Sequence, residues 1–244
     1  MPLVKPEHNF HDVLRIKTDI QMKYLVEQGK LDGEEARRED YAGKVADSCY
    51  RYVLDVLEHT RPVVKSLSER YKLVLVSNFY GNIQTILKDF GLFDFFAGII
   101  ESSVVGVRKP DPAIYRLGVE AMGLPAGNVL VVGDSFSKDV VPAKAVGCKV
   151  AWLKGEGWGN EEIDETLPDV IITDLKMPEM DGLEATRTIR NLDRKDCKKI
   201  PIYAMSANAF DEDVKRSLAS GMNGHLSKPV NLQVLEKTLQ KVLG

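Results

Sequence analysis

The sequence predicts an α/β fold: a doubly wound, mostly parallel sheet preceded by a helical region. Three observations predict it. From about residue 72 onward, short β-rich runs alternate with stretches of helical patterning, which implies parallel strands joined by right-handed helical crossovers. Several of the runs are continuously apolar, VLVV and VII among them, as suits a sheet covered on both faces. Before them, from about Phe10 to Leu67, the chain is highly charged with apolar residues at helical spacing, as in Tyr50, Val53, Leu54 and Leu57.

In chain order, the region up to about residue 67 reads as several amphipathic helices. The β-rich runs are then KLVLVSN (72–78), AGIIES (97–102), NVLVVGDS (128–135), CKVAWL (148–153), DVIITDL (169–175), IPIYAMSA (200–207) and GHLSKP (224–229). Helical patterning fills Gly81 to Phe90, Pro112 to Met122, Gly182 to Ile189 and Asp211 to Leu218. GEGWGN (155–160) reads as the one flexible connection, and no internal repeat or low-complexity tract interrupts the pattern.

Composition narrows the function classes. The 244 residues are 44% hydrophobic, which suits a globular chain with a buried core, and the net charge of -3 arises from 36 acidic and 33 basic residues spread evenly. No basic stripe argues for nucleic acid, and no run approaches the ~18 apolar residues of a membrane span. Cys49, Cys148 and Cys197 are odd in number and far apart, without a CxxC pair, so a reducing, cytoplasmic setting is expected. MPLVKPEHNF lacks the charged end and apolar run of a signal peptide.

In doubly wound sheets the ligand site lies beyond the carboxyl ends of the strands, so polar residues that follow apolar runs carry weight. Asp134 follows VLVVG, Asp174 follows VIIT, Ser206 follows PIYAM and Lys228 follows HLS. One carboxylate could attack phosphorus while a second holds Mg²⁺, a hydroxyl binds a phosphoryl oxygen and lysine neutralises the growing charge. DVIITDLKMPEMDGLEATRTIR, IPIYAMSANAF and GMNGHLSKPV, over residues 168 to 243, resemble the second half of a response-regulator receiver domain, a flavodoxin-like fold. The resemblance implies that Asp174 is the phosphoacceptor, Ser206 the switch hydroxyl, His225 a residue at the switch-aromatic position, and Lys228 the phosphate-binding lysine before a cis Pro229. Such domains also carry an acidic pair at the end of their first strand. Here Gly133 replaces one acid and only Asp134 remains, with Asp139 as a substitute from the following turn.

The same segment carries a second resemblance. VLVSNF, VRKPDPAIY and VLVVGDSFSKDVVPAKAVGC, with the helical region before them, are similar to the cap and later motifs of haloacid dehalogenase-like (HAD) hydrolases, whose sheet is Rossmannoid, over roughly residues 10 to 158. That resemblance implies phosphate binding by Ser77 and Asn78, stabilisation of an aspartyl phosphate by Lys109, and Mg²⁺ ligation by Asp134 and Asp139. Its nucleophile belongs to a DxD motif upstream of the cap, and no DxD precedes Ser77 here, so ordinary hydrolase turnover is expected to be lost.

The expected organisation is a HAD-like segment over 1–127, helical and cap-like to about 67, and a receiver-like domain over 128–244 whose first two strands (128–153) also carry the GDSxxxD motif. The expected function is Mg²⁺-dependent phosphorylation of Asp174 by a histidine kinase or histidine phosphotransfer protein, with Asp134, Asp139 and Asp174 serving the metal. The alternatives are a permuted HAD-like phosphatase with Asp174 as nucleophile, acting on a small phosphorylated molecule, and a natural or engineered chimera of little activity. No nucleic-acid or membrane partner is expected. For the Asp174 strand, 170–173 is expected between 129–132 and 201–205; the rival neighbour is 73–76.

Overall fold

The computed structural model describes residues 3–155, 163–164, 167–175, 181–193, 197–207, 210–228 and 231–243. Most of GEGWGN, and Pro229, lie outside the described residues. Two compact units divide the chain, Met1–Arg108 and Lys109–Gly244. The division expected at 127/128 falls inside the second.

The first unit opens with helices α1 (Phe10–Glu27), α2 (Gly33–Arg38) and α3 (Tyr41–Ser68), followed by β1 (Val74–Ser77), α4 (Ile83–Asp89), β2 (Gly98–Glu101) and the short α5 (Ser102–Val105). A capping box starts α1: Asn9 accepts from the Asp12 backbone, and the Asp12 side chain accepts from that of Asn9. Val13 of α1, Leu57 of α3 and Ile83, Ile86 and Leu87 of α4 are buried in one apolar cluster, with Tyr50 and Val53 packed against it. Tyr50, Val53 and Leu57 belong to the helical spacing seen in the sequence and turn inward by the 3.6-residue period, whereas Leu54 of the same set is 39% exposed. Strands β1 and β2 pair in parallel as a two-stranded sheet, with Ser77 opposite Glu101.

In the second unit, α6 (Ala113–Met122) precedes β3 (Leu130–Gly133), α7 (Val141–Val146), β4 (Lys149–Lys154), β5 (Val170–Asp174), α8 (Gly182–Asn191), β6 (Ile202–Ser206), α9 (Asp211–Ala219), β7 (Gly224–Ser227) and α10 (Leu232–Leu243). The strands form one parallel sheet in the order β3-β4-β5-β6-β7. Ala151, Val170, Ile172, Tyr203 and Leu226 face Leu235, Leu239 and Val242 of α10. Helix α8 lies over the opposite face, where a Cβ on Gly182 would stand 3.2 Å from Thr173 Cγ2. Helices on both faces explain why Val170, Ile171 and Ile172 are all buried, as the continuous apolar run predicted.

One expected neighbour is corrected. Residues 201–205 do flank the Asp174 strand, through pairs such as Ile172 with Tyr203, and the rival 73–76 pairs with β2 instead. On the other side, however, β5 pairs with β4 and not with 129–132. The reason is legible in β4 itself: Val150, Ala151 and Trp152 are buried on both faces, as an interior strand requires, whereas Val132 of β3 is 56% exposed. Asp169 pins the arrangement, since its carboxylate accepts from the Val150 backbone N–H at 2.7 Å and from Lys144 at 2.9 Å. No described helix is long and apolar enough to cross a membrane.

Candidate functional site

Two aspartate–lysine pairs stand beyond strand ends of the second unit. The first follows β3. Ser135, buried, accepts from the Lys138 N–H and starts a single wide turn, Phe136–Val140, that folds Asp139 back toward the strand end. Asp139 Oδ2 accepts from the Ser135 N–H at 3.0 Å, while Oδ1 accepts from Lys109 Nζ and from the Tyr115 hydroxyl, each at 2.7 Å. Burial alone would raise the Asp139 pKa. The hydrogen bond and charge of Lys109, helped by Tyr115 and the Ser135 N–H, outweigh it and hold the carboxyl below its ordinary value. Tyr115 is pushed strongly upward by burial and by the Asp139 charge, so it stays protonated as a donor.

Gly133 also acquires a reason. A Cβ there would lie 2.4 Å from the Asp139 Cβ and 2.6 Å from its Cγ. The space that an acid at 133 would fill is taken by Asp139. Asp134 beside it is exposed, and its carbonyl accepts from Trp152 Nε1 at 3.1 Å.

The second pair is built from β5, β6 and β7. Asp174 ends β5, where the Leu175 N–H extends the ladder to the Met205 carbonyl. Ser206 ends β6, and its carbonyl accepts from the Lys228 N–H, which fixes where the Lys228 side chain departs. Lys228 then reaches across β6 to Asp174 Oδ2 at 2.5 Å. On β7, His225 Nε2 lies 2.8 Å from Ser206 Oγ. The structure therefore brings together the four residues of the receiver-like set as two adjoining contacts, Asp174 with Lys228 and Ser206 with His225. At the end of β4, level with Thr173, stands Lys154, whose ammonium lies 5.3 Å from the Trp152 ring centroid and which burial pushes down to about 8.

Ser77 ends β1 and Asn78 follows it in the first unit, both partly buried, whereas Lys109 belongs to the second. The three expected metal ligands are not gathered. Asp134 and Asp174 end strands separated by β4, roughly 10 Å apart at about 4.8 Å per strand step. Both Asp139 oxygens already accept hydrogen bonds, and no group of three His, Cys, Asp or Glu side chains among the described residues could hold an ion.

Sequence reasoning missed Tyr115 as the second donor to Asp139, and Lys154. It also missed Ser217 of α9, whose Oγ lies 3.2 Å from His225 Nδ1. Tyr115 stood inside the VRKPDPAIY motif and Lys154 directly follows the CKVAWL run, so both places were available; nothing in the spacing signalled Ser217.

The profile of haloacid dehalogenase-like hydrolases matches residues 5–147, and that of the response regulator receiver domain matches residues 143–240. Among curated proteins, the chain is 29% identical over 174 residues to 5-amino-6-(5-phospho-D-ribitylamino)uracil phosphatase YigB of Escherichia coli, covering 71% of this chain and 70% of that one. It is 44% identical over 71 residues to sensor histidine kinase RcsC of Salmonella typhimurium, covering 29% of this chain but only 7% of the kinase. A HAD phosphatase structure from Thermococcus onnurineus aligns at 24% identity with a TM-score of 0.41, covering 64% of this chain and 82% of that one. With its profile match running over more than half of the sequence, the chain belongs to the haloacid dehalogenase-like hydrolases, and a receiver domain is fused to that hydrolase segment.

Proposed function

We propose that the chain is a phosphoacceptor whose Asp174 takes a phosphoryl group from the phosphohistidine of a kinase or phosphotransfer protein. The observation that carries this reading is the 2.5 Å contact of Lys228 Nζ with Asp174 Oδ2, made across the strand that ends in Ser206. A carboxylate already beside a cation, with a side-chain exposure of 32%, is both reachable and electrostatically prepared for an incoming phosphoryl group. In the transfer an Asp174 oxygen attacks phosphorus, the P–O bond forms as the P–N bond breaks, and the electron pair leaves with the imidazole, which takes up a proton. Lys228 moves its contact to a phosphoryl oxygen, and Ser206 donates its hydroxyl to another. The kinase-type partner is supported by the receiver-like match to sensor histidine kinases.

A second reading, phosphate-ester hydrolysis by the HAD-like segment, is favoured by the intact Lys109–Asp139 contact and by the similarity to a phosphatase. The pairing of β5 with β4 and β6, and of β1 with β2, weighs against Asp174 as its substitute nucleophile. Incubation with acetyl phosphate tests the first reading: alkali-labile, hydroxylamine-sensitive labelling is expected in the parent and lost to background in Asp174→Asn, because an amide is a poor nucleophile. Equal labelling of both would remove Asp174 from the role, and p-nitrophenyl phosphate turnover surviving Asp174→Asn would favour the second reading.

A further inference from the structure

The strand-end serine of the proposed site belongs to a longer hydrogen-bonded chain. Ser206 Oγ lies 2.8 Å from His225 Nε2, His225 Nδ1 lies 3.2 Å from Ser217 Oγ, and Ser217 Oγ donates to the Asp213 carbonyl at 2.8 Å. The direction of each bond follows from counting hydrogens. A carbonyl can only accept, so the single hydroxyl hydrogen of Ser217 goes to Asp213. Ser217 is then left with lone pairs toward His225, and Nδ1 must carry the hydrogen that completes the bond. A neutral imidazole protonated at Nδ1 has an accepting Nε2, and the hydrogen of that contact comes from Ser206. Ser217 is fully buried on α9 and His225 is held on β7, so the chain ties a helix to the end of the neighbouring strand through the imidazole.

We infer that Ser217 is a positioning residue: by accepting from His225 Nδ1 it sets the ring tautomer that accepts the Ser206 hydroxyl, and so directs the Ser206 hydrogen away from Asp174 until a phosphoryl oxygen competes for it. The inference rests on the phosphoacceptor reading for its consequence, but its geometry stands in the unphosphorylated protein. Phosphorylation exchanges one Ser206 bond for another, and the exchange frees His225 Nε2, so the ring stays tied to α9 through Ser217 but is no longer tied to the end of β6. Receiver-like behaviour in this chain therefore has a resting bond to break.

Two-bond proton–nitrogen NMR of the full chain, labelled at histidine nitrogens, reads the tautomer directly, with the His225 signals assigned by their loss in His225→Gln. The parent is expected to show the Nδ1–H form. Ser217→Ala, which removes the acceptor, should move the balance toward Nε2–H, and Ser217→Thr should restore it. With Nε2 donating, the Ser206 hydrogen is no longer committed to the ring, and labelling of Asp174 by acetyl phosphate should quicken by about fivefold, the worth of one ordinary hydrogen bond. An Nε2–H tautomer in the parent, a tautomer unmoved by Ser217→Ala, or an unchanged labelling rate despite a moved tautomer would each overturn the inference. Absence of any Asp174 labelling in the parent would instead sink the phosphoacceptor reading, while the tautomer measurement still decides the role of Ser217.

Discussion

The two aspartate–lysine pairs share their chemistry and differ in almost everything that determines use. Lys109 and Asp139 are 17% and 7% exposed, and Asp139 accepts three hydrogen bonds from groups of its own unit. Lys228 and Asp174 are 40% and 32% exposed at a contact of 2.5 Å. A buried carboxylate surrounded by donors is a fixture of the fold, because each oxygen is occupied and removal of a donor strands a charge away from water. A carboxylate at an open strand end keeps room for a reactant. Similar contact distances thus say little about role, whereas access and the number of donors say much.

The largest expected effect separates the pairs by stability. Lys109→Met leaves Asp139 buried without its main counter-charge and should cost about 3–5 kcal/mol, whereas Lys228→Met, at a solvent-screened contact, should cost under about 1 kcal/mol. Urea midpoints measure both, and equal losses would break the comparison. Next in size is Lys154, at the end of β4, whose charge burial opposes. Between about 8 and the ordinary lysine value of about 10.4 the unfolded chain binds more protons than the fold, so the Lys154 contribution makes stability rise with pH across that window. Lys154→Met should therefore gain on the order of 1–2 kcal/mol near pH 7, after allowance for partial solvent exposure, and lose its advantage above pH ~10.4. A gain independent of pH would point to packing instead of charge.

The smallest effect concerns acid. Because the folded Asp139 pKa is depressed, its contribution is fully present above the unfolded carboxylate value of about 3.9 and disappears as pH falls through the lower folded value. Removing Lys109 takes away the leading cause that lowers this value and leaves burial, which raises it. The acid-unfolding midpoint of Lys109→Met, followed by circular dichroism, should move upward by up to about one pH unit, and that of Lys228→Met should move less.

Strand positions and the polar residues at their ends were legible because apolar runs of four to seven residues, broken by Asp, Ser or Lys, leave a local signal. The meeting of Asp174 with Lys228 followed from those ends and from the resemblance. Strand order was not legible in the same way. Placing β3 beside β5 drew on a family pattern, but a pairing choice depends on which strand can be covered on both faces. Trp152 and Ala151 met that demand in β4, and the exposure of Val132 shows that β3 did not. Gly133 was read as a missing acid, although its absent side chain is what admits Asp139. Ser217 escaped notice because a serine inside an amphipathic helix has no pattern; only the fold brings it to His225.

The sheet order β3-β4-β5-β6-β7 means that, from β4 on, each strand lies beside the one made just before it. Assembly can therefore proceed in chain order, each new strand closing onto a finished edge, with short sequence separations and correspondingly modest loop-closure entropy. Had the strand bearing Asp134 adjoined that of Asp174, β4 would have had to be left outside while a longer loop closed. In the observed order the strand that ends in Asp174 is seated before β6 and β7 are made, and Lys228, which faces it, follows the last of them.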